Sequence, residues 1–175
     1  MHRITRMFTI GTVAAASLLT ASEASAAPAA PQYCAVLVGP AGTPDGVSPE
    51  LDRYCSSVSG DDARRHLTRP GARTADEAAV AASTLLMTWY ENADYGGGSK
   101  EIYGSSGTCD HSGYRVTPNS EWRGKLSSAT GFLSCNWAEF ANPTQIVKFS
   151  HQLPVDYIGP EVNDNVGLVK VYHVG

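Results

Sequence analysis

The chain has 175 residues, 42% hydrophobic and 17% charged, with a formal net charge of −4 and four cysteines. That length allows one or two small cores. An acidic balance without a strongly basic stretch leaves nothing that favours a nucleic-acid partner, because phosphates select basic patches.

His2, Arg3 and Arg6 precede an uncharged run from Met7 to Ser22, and Ala24-Ser25-Ala26 follows. A basic start, a short apolar stretch and a small-x-small site predict a secretory signal peptide over residues 1–26. The run is shorter than the roughly 20 apolar residues a membrane span needs, and Thr, Ser and Gly dilute it. No later stretch is long and apolar enough to span a bilayer, so the expected product is secreted and extracellular, with no membrane span. Cleavage after Ala26 leaves 11 basic and 16 acidic residues, a formal charge of −5.

Residues 27–83 read as an N-terminal segment and linker. After an Ala/Pro leader over 27–32, Tyr33 to Val38 alternates and is β-branched enough for a strand, and Gly39 to Gly46 is a turn-rich loop. Ser48-Pro49-Glu50-Leu51 predicts a helix start, with Ser48 as N-cap and Pro49 in the first turn, running to Cys55. From Ser56 to Ala82 Leu67 is almost alone as a large apolar residue, so a linker is expected, with a weak helix around Ala75 to Ala82.

Residues 84–175 hold all three Trp and six of the eight Tyr. Turn signals at Asp94-Tyr95-Gly96-Gly97, Gly104-Ser105-Ser106-Gly107, Asn119-Ser120 and Asn163-Asp164-Asn165 separate short β-prone runs. The predicted strands are Leu85 to Glu91, Ser99 to Tyr103, Ser127 to Phe132, Ile146 to Phe149 and Leu168 to Val174, which makes an all-β sandwich.

Cys34, Cys55, Cys109 and Cys135 all follow the signal peptide, and an even number in an exported chain points to disulfides. Three pairings are possible. Cys34 with Cys55 and Cys109 with Cys135 is favoured, because each pair lies within one compositional segment and closes a loop where a bridge typically adds about 2–4 kcal/mol. A metal site at Cys109, Asp110 and His111 lacks a second ligand pair at suitable spacing.

Thr88-Trp89-Tyr90-Glu91-Asn92-Ala93-Asp94-Tyr95-Gly96-Gly97, followed by Lys100-Glu101-Ile102-Tyr103, resembles the opening of a βγ-crystallin Greek-key motif. There the chain folds over tightly, glycine supplies backbone angles other residues resist, and Tyr90 and Tyr95 can cover the bend. The resemblance implies a βγ-crystallin-like Greek-key sandwich over 84–175, preceded by a small disulfide-tied N-terminal segment. Asn136 to Asn142 is the expected second hairpin, but it lacks the glycine and runs into Pro143.

The same resemblance implies a calcium-binding stretch of two acidic or amide residues, two spacers and two hydroxyls in each motif. Both copies depart from it. Arg123-Gly124-Lys125-Leu126-Ser127-Ser128 keeps the hydroxyls and loses the pair, whereas Asn163-Asp164-Asn165-Val166-Gly167-Leu168 keeps the pair and loses the hydroxyls. Since such sites draw ligands from both motifs, Ser127 with Asn163 and Asp164 can form one weak calcium site, while Arg123 with Gly167 cannot form another.

No G-x-S-x-G elbow, H-E-x-x-H or P-loop occurs. His66, His111, His151 and His173 are isolated along the sequence, and Asp94, Glu101, Asp110 and Glu139 read as solvated carboxylates. No catalytic residue is assigned. Exported bacterial proteins of this resemblance include metalloprotease inhibitors and small toxin-like proteins, so the expectation is a binding or inhibitory module acting on a secreted protease or a cell-surface target. Its candidate contact loop is Gly104 to Tyr114 beside Cys109. The alternative is a structural or envelope-associated protein with weak calcium binding.

Overall fold

The computed structural model describes residues 32–67 and 83–175. The expected signal peptide, most of the Ala/Pro leader and the helix expected over Ala75 to Ala82 lie outside the described residues. The chain runs β1 (Tyr33–Val38), β2 (Glu50–Ser56), α1 (Gly60–Leu67), β3 (Thr84–Tyr90), β4 (Ser99–Gly104), β5 (Tyr114–Val116), α2 (Ser120–Arg123), β6 (Ser128–Gly131), β7 (Trp137–Ala141), β8 (Lys148–Gln152) and β9 (Leu168–Tyr172).

Two sheets carry these strands, in the orders β2-β1-β4-β3-β6 and β5-β9-β7-β8. β5 leaves the first half of the chain to pair with β9 of the second. In return Val155 exchanges both backbone hydrogen bonds with Ala129 of β6 (2.9 Å each). The two halves are thus tied together by β5 within the second sheet and by the isolated Val155 bridge at the β6 edge of the first. The expected all-β Greek-key sandwich is observed. Between the sheets lies one core that includes Trp89, Ile102, Trp122, Phe140, Val169 and Val171.

The tied N-terminal segment extends the first sheet. β1 is parallel to β4 on one side and antiparallel to β2 on the other. Alternation gives it two apolar faces: Val36 and Val38 enter the inter-sheet core, while Ala35 and Leu37 join Tyr103 on the outer face beneath Ala63 and Leu67 of α1. A strand covered on both faces carries an apolar run, as Cys34 to Val38 does. The disulfides are Cys34–Cys55, across the β1–β2 ladder, and Cys109–Cys135.

Two expectations are corrected here. Glu50 to Ser56 is a strand, and the helix predicted from Ser48 does not form. Ser48 instead pairs with Arg115, donating its N–H to the Arg115 carbonyl (2.8 Å) and accepting the Arg115 N–H at its hydroxyl (3.1 Å). The linker expected from Ser56 contains α1, whose Ala63 and Leu67, four residues apart, form one buried stripe. Ser59 starts that helix by accepting the Asp62 N–H (3.1 Å). β5 and β7 are strands that alternation did not single out.

Candidate functional site

β3 ends at Tyr90, and the chain folds over before β4 begins at Ser99. Asp94 and Tyr95 adopt left-handed backbone angles (φ 54° and 61°). Gly97 is required by its φ of 80°, and a Cβ there would come within 2.8 Å of Asn92 Nδ2. The Tyr90 and Tyr95 rings meet edge to face over the bend, 5.6 Å between centroids. Ser128 closes it, donating to the Asn92 carbonyl (2.6 Å) and accepting the Tyr95 N–H (3.1 Å).

Behind this fold-over, Ser127 from the first half meets Asp164 from the second. The Ser127 hydroxyl lies 2.8 Å from the Glu91 carbonyl, 3.2 Å from the Lys125 carbonyl and 3.4 Å from Asp164 Oδ1. One hydroxyl proton cannot serve three acceptors, so oxygen lone pairs are in surplus at this point. Asn163 donates to Asp164 Oδ2 (2.9 Å), while its own Oδ1 is buried with no hydrogen-bond partner. The three expected residues Ser127, Asn163 and Asp164 are therefore brought together, with all-oxygen chemistry suited to a hard cation.

Charge at this point is modest. The Glu91 carboxylate is engaged by the Lys125 ammonium (2.9 Å) and the Gly98 N–H (3.0 Å). The hydrogen bond that Lys125 donates to Glu91 is the main cause holding the Lys125 pKa above its usual value. Asp164 is left as the carboxylate facing Ser127. The reciprocal combination offers less: Gly167 packs on Pro143, where a Cβ would lie 2.3 Å from the proline Cα, and the Val166 N–H is bound to the Arg123 carbonyl. The Glu91 carbonyl and Lys125 were not among the expected site residues. A chain carbonyl leaves no mark in residue type, and only the register of β3 against β6 places it.

At the far end of β6 lies the loop between β4 and β5. Cys109 is buried and bonded to Cys135, while Ser106, Thr108, Asp110, His111 and Ser112 are exposed. Asp110 Oδ1 accepts the Ser112 hydroxyl (2.6 Å) and the Gly113 N–H (2.8 Å), making a tight Asx-type turn. These bonds, the Ser112 hydroxyl first, hold the Asp110 carboxyl below the usual carboxylate range. Thr108 accepts the Ser134 N–H (3.2 Å), and the Asp110 carbonyl accepts the His173 N–H (2.8 Å). The loop is exposed and fixed at both flanks. A shallow cleft of ≈ 290 Å³ adjoins it, lined by residues 40–44 together with Ser112 and Gly113.

No family model matches the chain, and no curated protein matches it. Solved structures do match. A βγ-crystallin domain from Clostridium beijerinckii is 19% identical, over 50% of this chain and 97% of that one, with a TM-score of 0.34. A mutant of that domain is 18% identical over 50% of this chain and 97% of its own, TM-score 0.36. A double mutant is 21% identical over 51% and 98%, TM-score 0.36. The fold is βγ-crystallin-like. The Val155 bridge to Ala129 and the Ser127–Asp164 contact set the start of β6 in one half beside the Asn163-Asp164 turn of the other. The β1–β2–α1 segment stands beside this βγ-crystallin-like unit, joined through β4.

Proposed function

We propose that the protein is an exported, non-enzymatic binding module of the inhibitory kind, engaging a secreted protease or a cell-surface target through Gly104 to Tyr114. The observation that carries this reading is an exposed polar loop held by the Cys109–Cys135 bond, the Asp110 turn and the Thr108 and His173 contacts. A contact loop fixed before binding loses less conformational entropy on association. Among the described residues, no group of three or more His, Cys, Asp or Glu is placed to hold a metal. Mixing the mature protein with a neutral metalloprotease should abolish proteolysis at a stoichiometric ratio while the protein stays intact. Steady cleavage of the loop without inhibition would count against the reading.

A second reading has its own observation. The convergence of Ser127, Asn163, Asp164 and the Glu91 carbonyl favours one weak calcium site, which would supply a charge clamp between the two halves. With one carboxylate directed at Ser127, affinity at the weak end of the calcium range is expected.

A further inference from the structure

Five non-glycine residues among those described have left-handed backbone angles. Asp94, Gln145 and Asp164 are polar, and Tyr95 packs on Tyr90. Leu133 is the aliphatic one, with φ 53°, and it is 76% exposed. It stands at the first central position of a tight turn, closed by the Cys135 N–H on the Phe132 carbonyl (3.0 Å). Hairpin turns that need a positive φ there take glycine or asparagine. Leucine has no polar atom with which to hydrogen-bond locally in that conformation.

An exposed leucine adds little burial to the fold, so its strained backbone is held by the surroundings and not by its own packing. Phe132 donates its N–H to the Leu86 carbonyl (3.0 Å), Ser134 donates its N–H to the Thr108 hydroxyl (3.2 Å), and Cys135 is bonded to Cys109. The Ser134 carbonyl oxygen lies 3.1 Å from His173 Nδ1. At Gly131 a Cβ would lie 2.0 Å from the Cys135 carbonyl oxygen, so the chain doubles back closely there. Phe132, next to Leu133, is 37% exposed. Strained residues that persist because their surroundings over-determine them cluster at ligand clamps and active sites. Two adjacent exposed apolar side chains on so fixed a turn lose little backbone freedom on association.

We propose that Leu133 is the anchor of the contact surface: its side chain enters the apolar side-chain pocket of a secreted protease, with Phe132 against the rim and Gly104 to Tyr114 alongside. The inference rests on the reading of Gly104 to Tyr114 as the contact loop, to which the turn is joined by the Thr108–Ser134 bond and the Cys109–Cys135 bridge. It names the class of target, a protease whose pocket takes a large aliphatic or aromatic side chain, as opposed to one whose pocket holds a carboxylate for Lys or Arg. An apolar centre with a polar rim is the usual anatomy of such an interface. The strain at Leu133 then reflects function set against stability, since Asn or Gly would fit the turn better.

The test titrates a neutral metalloprotease that cleaves beside Leu or Phe with the unsubstituted mature protein, Leu133→Asn and Leu133→Met, and melts each form without protease. Asn accepts left-handed angles and offers no apolar anchor. Leu133→Asn should therefore melt at or above the temperature of the unsubstituted protein, while its inhibition constant rises ~30-fold or more, the loss that marks a hot spot. Leu133→Met keeps a large apolar side chain and should still inhibit. Full inhibition by Leu133→Asn would overturn the anchor and leave the contact-loop reading standing. A lower Tm for Leu133→Asn would show that Leu133 serves the fold, and a loss for Leu133→Met as large as for Leu133→Asn would show that apolar contact is not what the target reads; either overturns the proposal. No inhibition by the unsubstituted protein would overturn both the anchor and the reading beneath it.

Discussion

Lys100 is 2% exposed, with its ammonium 5.6 Å from the Trp89 ring centroid and 5.5 Å from that of Trp122, and 3.3 Å from Asn119 Oδ1. The indole faces and the amide favour the charged form. Burial opposes it and dominates, pushing the pKa down to about 7, with Arg53 adding repulsion while Glu50 and Glu121 partly offset it. Below that value folded and unfolded chains are both protonated and the burial cost is fully present. Between pH 7 and about 10 the unfolded chain holds the extra proton, so stability rises with pH, by up to about 1.4 kcal/mol per unit. Urea midpoints measured across that window should therefore climb for the unsubstituted protein. For Lys100→Met, which removes the titration, the corresponding climb should be absent.

At the scale of elements, α1 is held to the first sheet by Ala63 and Leu67, both fully buried. Its first turn carries Asp61 and Asp62, and its last turn Arg64, Arg65 and His66, an order that complements the helix dipole. Eight residues are too few to persist without tertiary contacts. Leu67→Ala should cost about 2–5 kcal/mol. Hydrogen exchange should show protection lost first in α1 and the adjoining ladder of β1 and β2, with β7 and β9 least affected. Uniform loss over both sheets would mean that the helix is inseparable from the main core.

What was legible follows from periodicity. β3, β4, β6 and β9 read correctly because apolar runs lie between glycine and asparagine turns. β8 is displaced, at Lys148–Gln152, because Ile146 is exposed and belongs to the turn. Ser48-Pro49 predicts a helix where β2 forms, a local signal overridden by pairing: Cys55 stands opposite Cys34 in the ladder. α1 departs from the expected linker although Ser59 and Asp62 stand at capping spacing, since two apolar positions, Ala63 and Leu67, look too few until the sheet surface beneath them is known. Ser127, Asn163 and Asp164 could be named because residue type carries side-chain oxygen chemistry. The place of the Glu91 carbonyl depends on strand register, which the sequence does not display.

For the whole molecule, the oxygen cluster joins segments from both halves, so a cation bound there stabilises the folded chain by mass action. Melting the non-reduced protein with excess calcium should raise Tm relative to chelator, and Asp164→Asn or Ser127→Ala should remove the difference. An unchanged Tm would show that the converging oxygens are only a hydrogen-bonded turn. Opening Cys109–Cys135 by the paired substitutions Cys109→Ser and Cys135→Ser should cost about 2–4 kcal/mol and free one flank of the contact loop.

The most direct measurement is an active-site titration of a neutral metalloprotease with the mature protein, alongside the Cys109→Ser/Cys135→Ser form at a temperature where both are folded. A sharp equimolar endpoint for the disulfide-bonded protein, blunted or lost in the opened form, is the predicted result. No endpoint with either form, or the same endpoint with both, would contradict the assignment of Gly104 to Tyr114 as a fixed inhibitory loop.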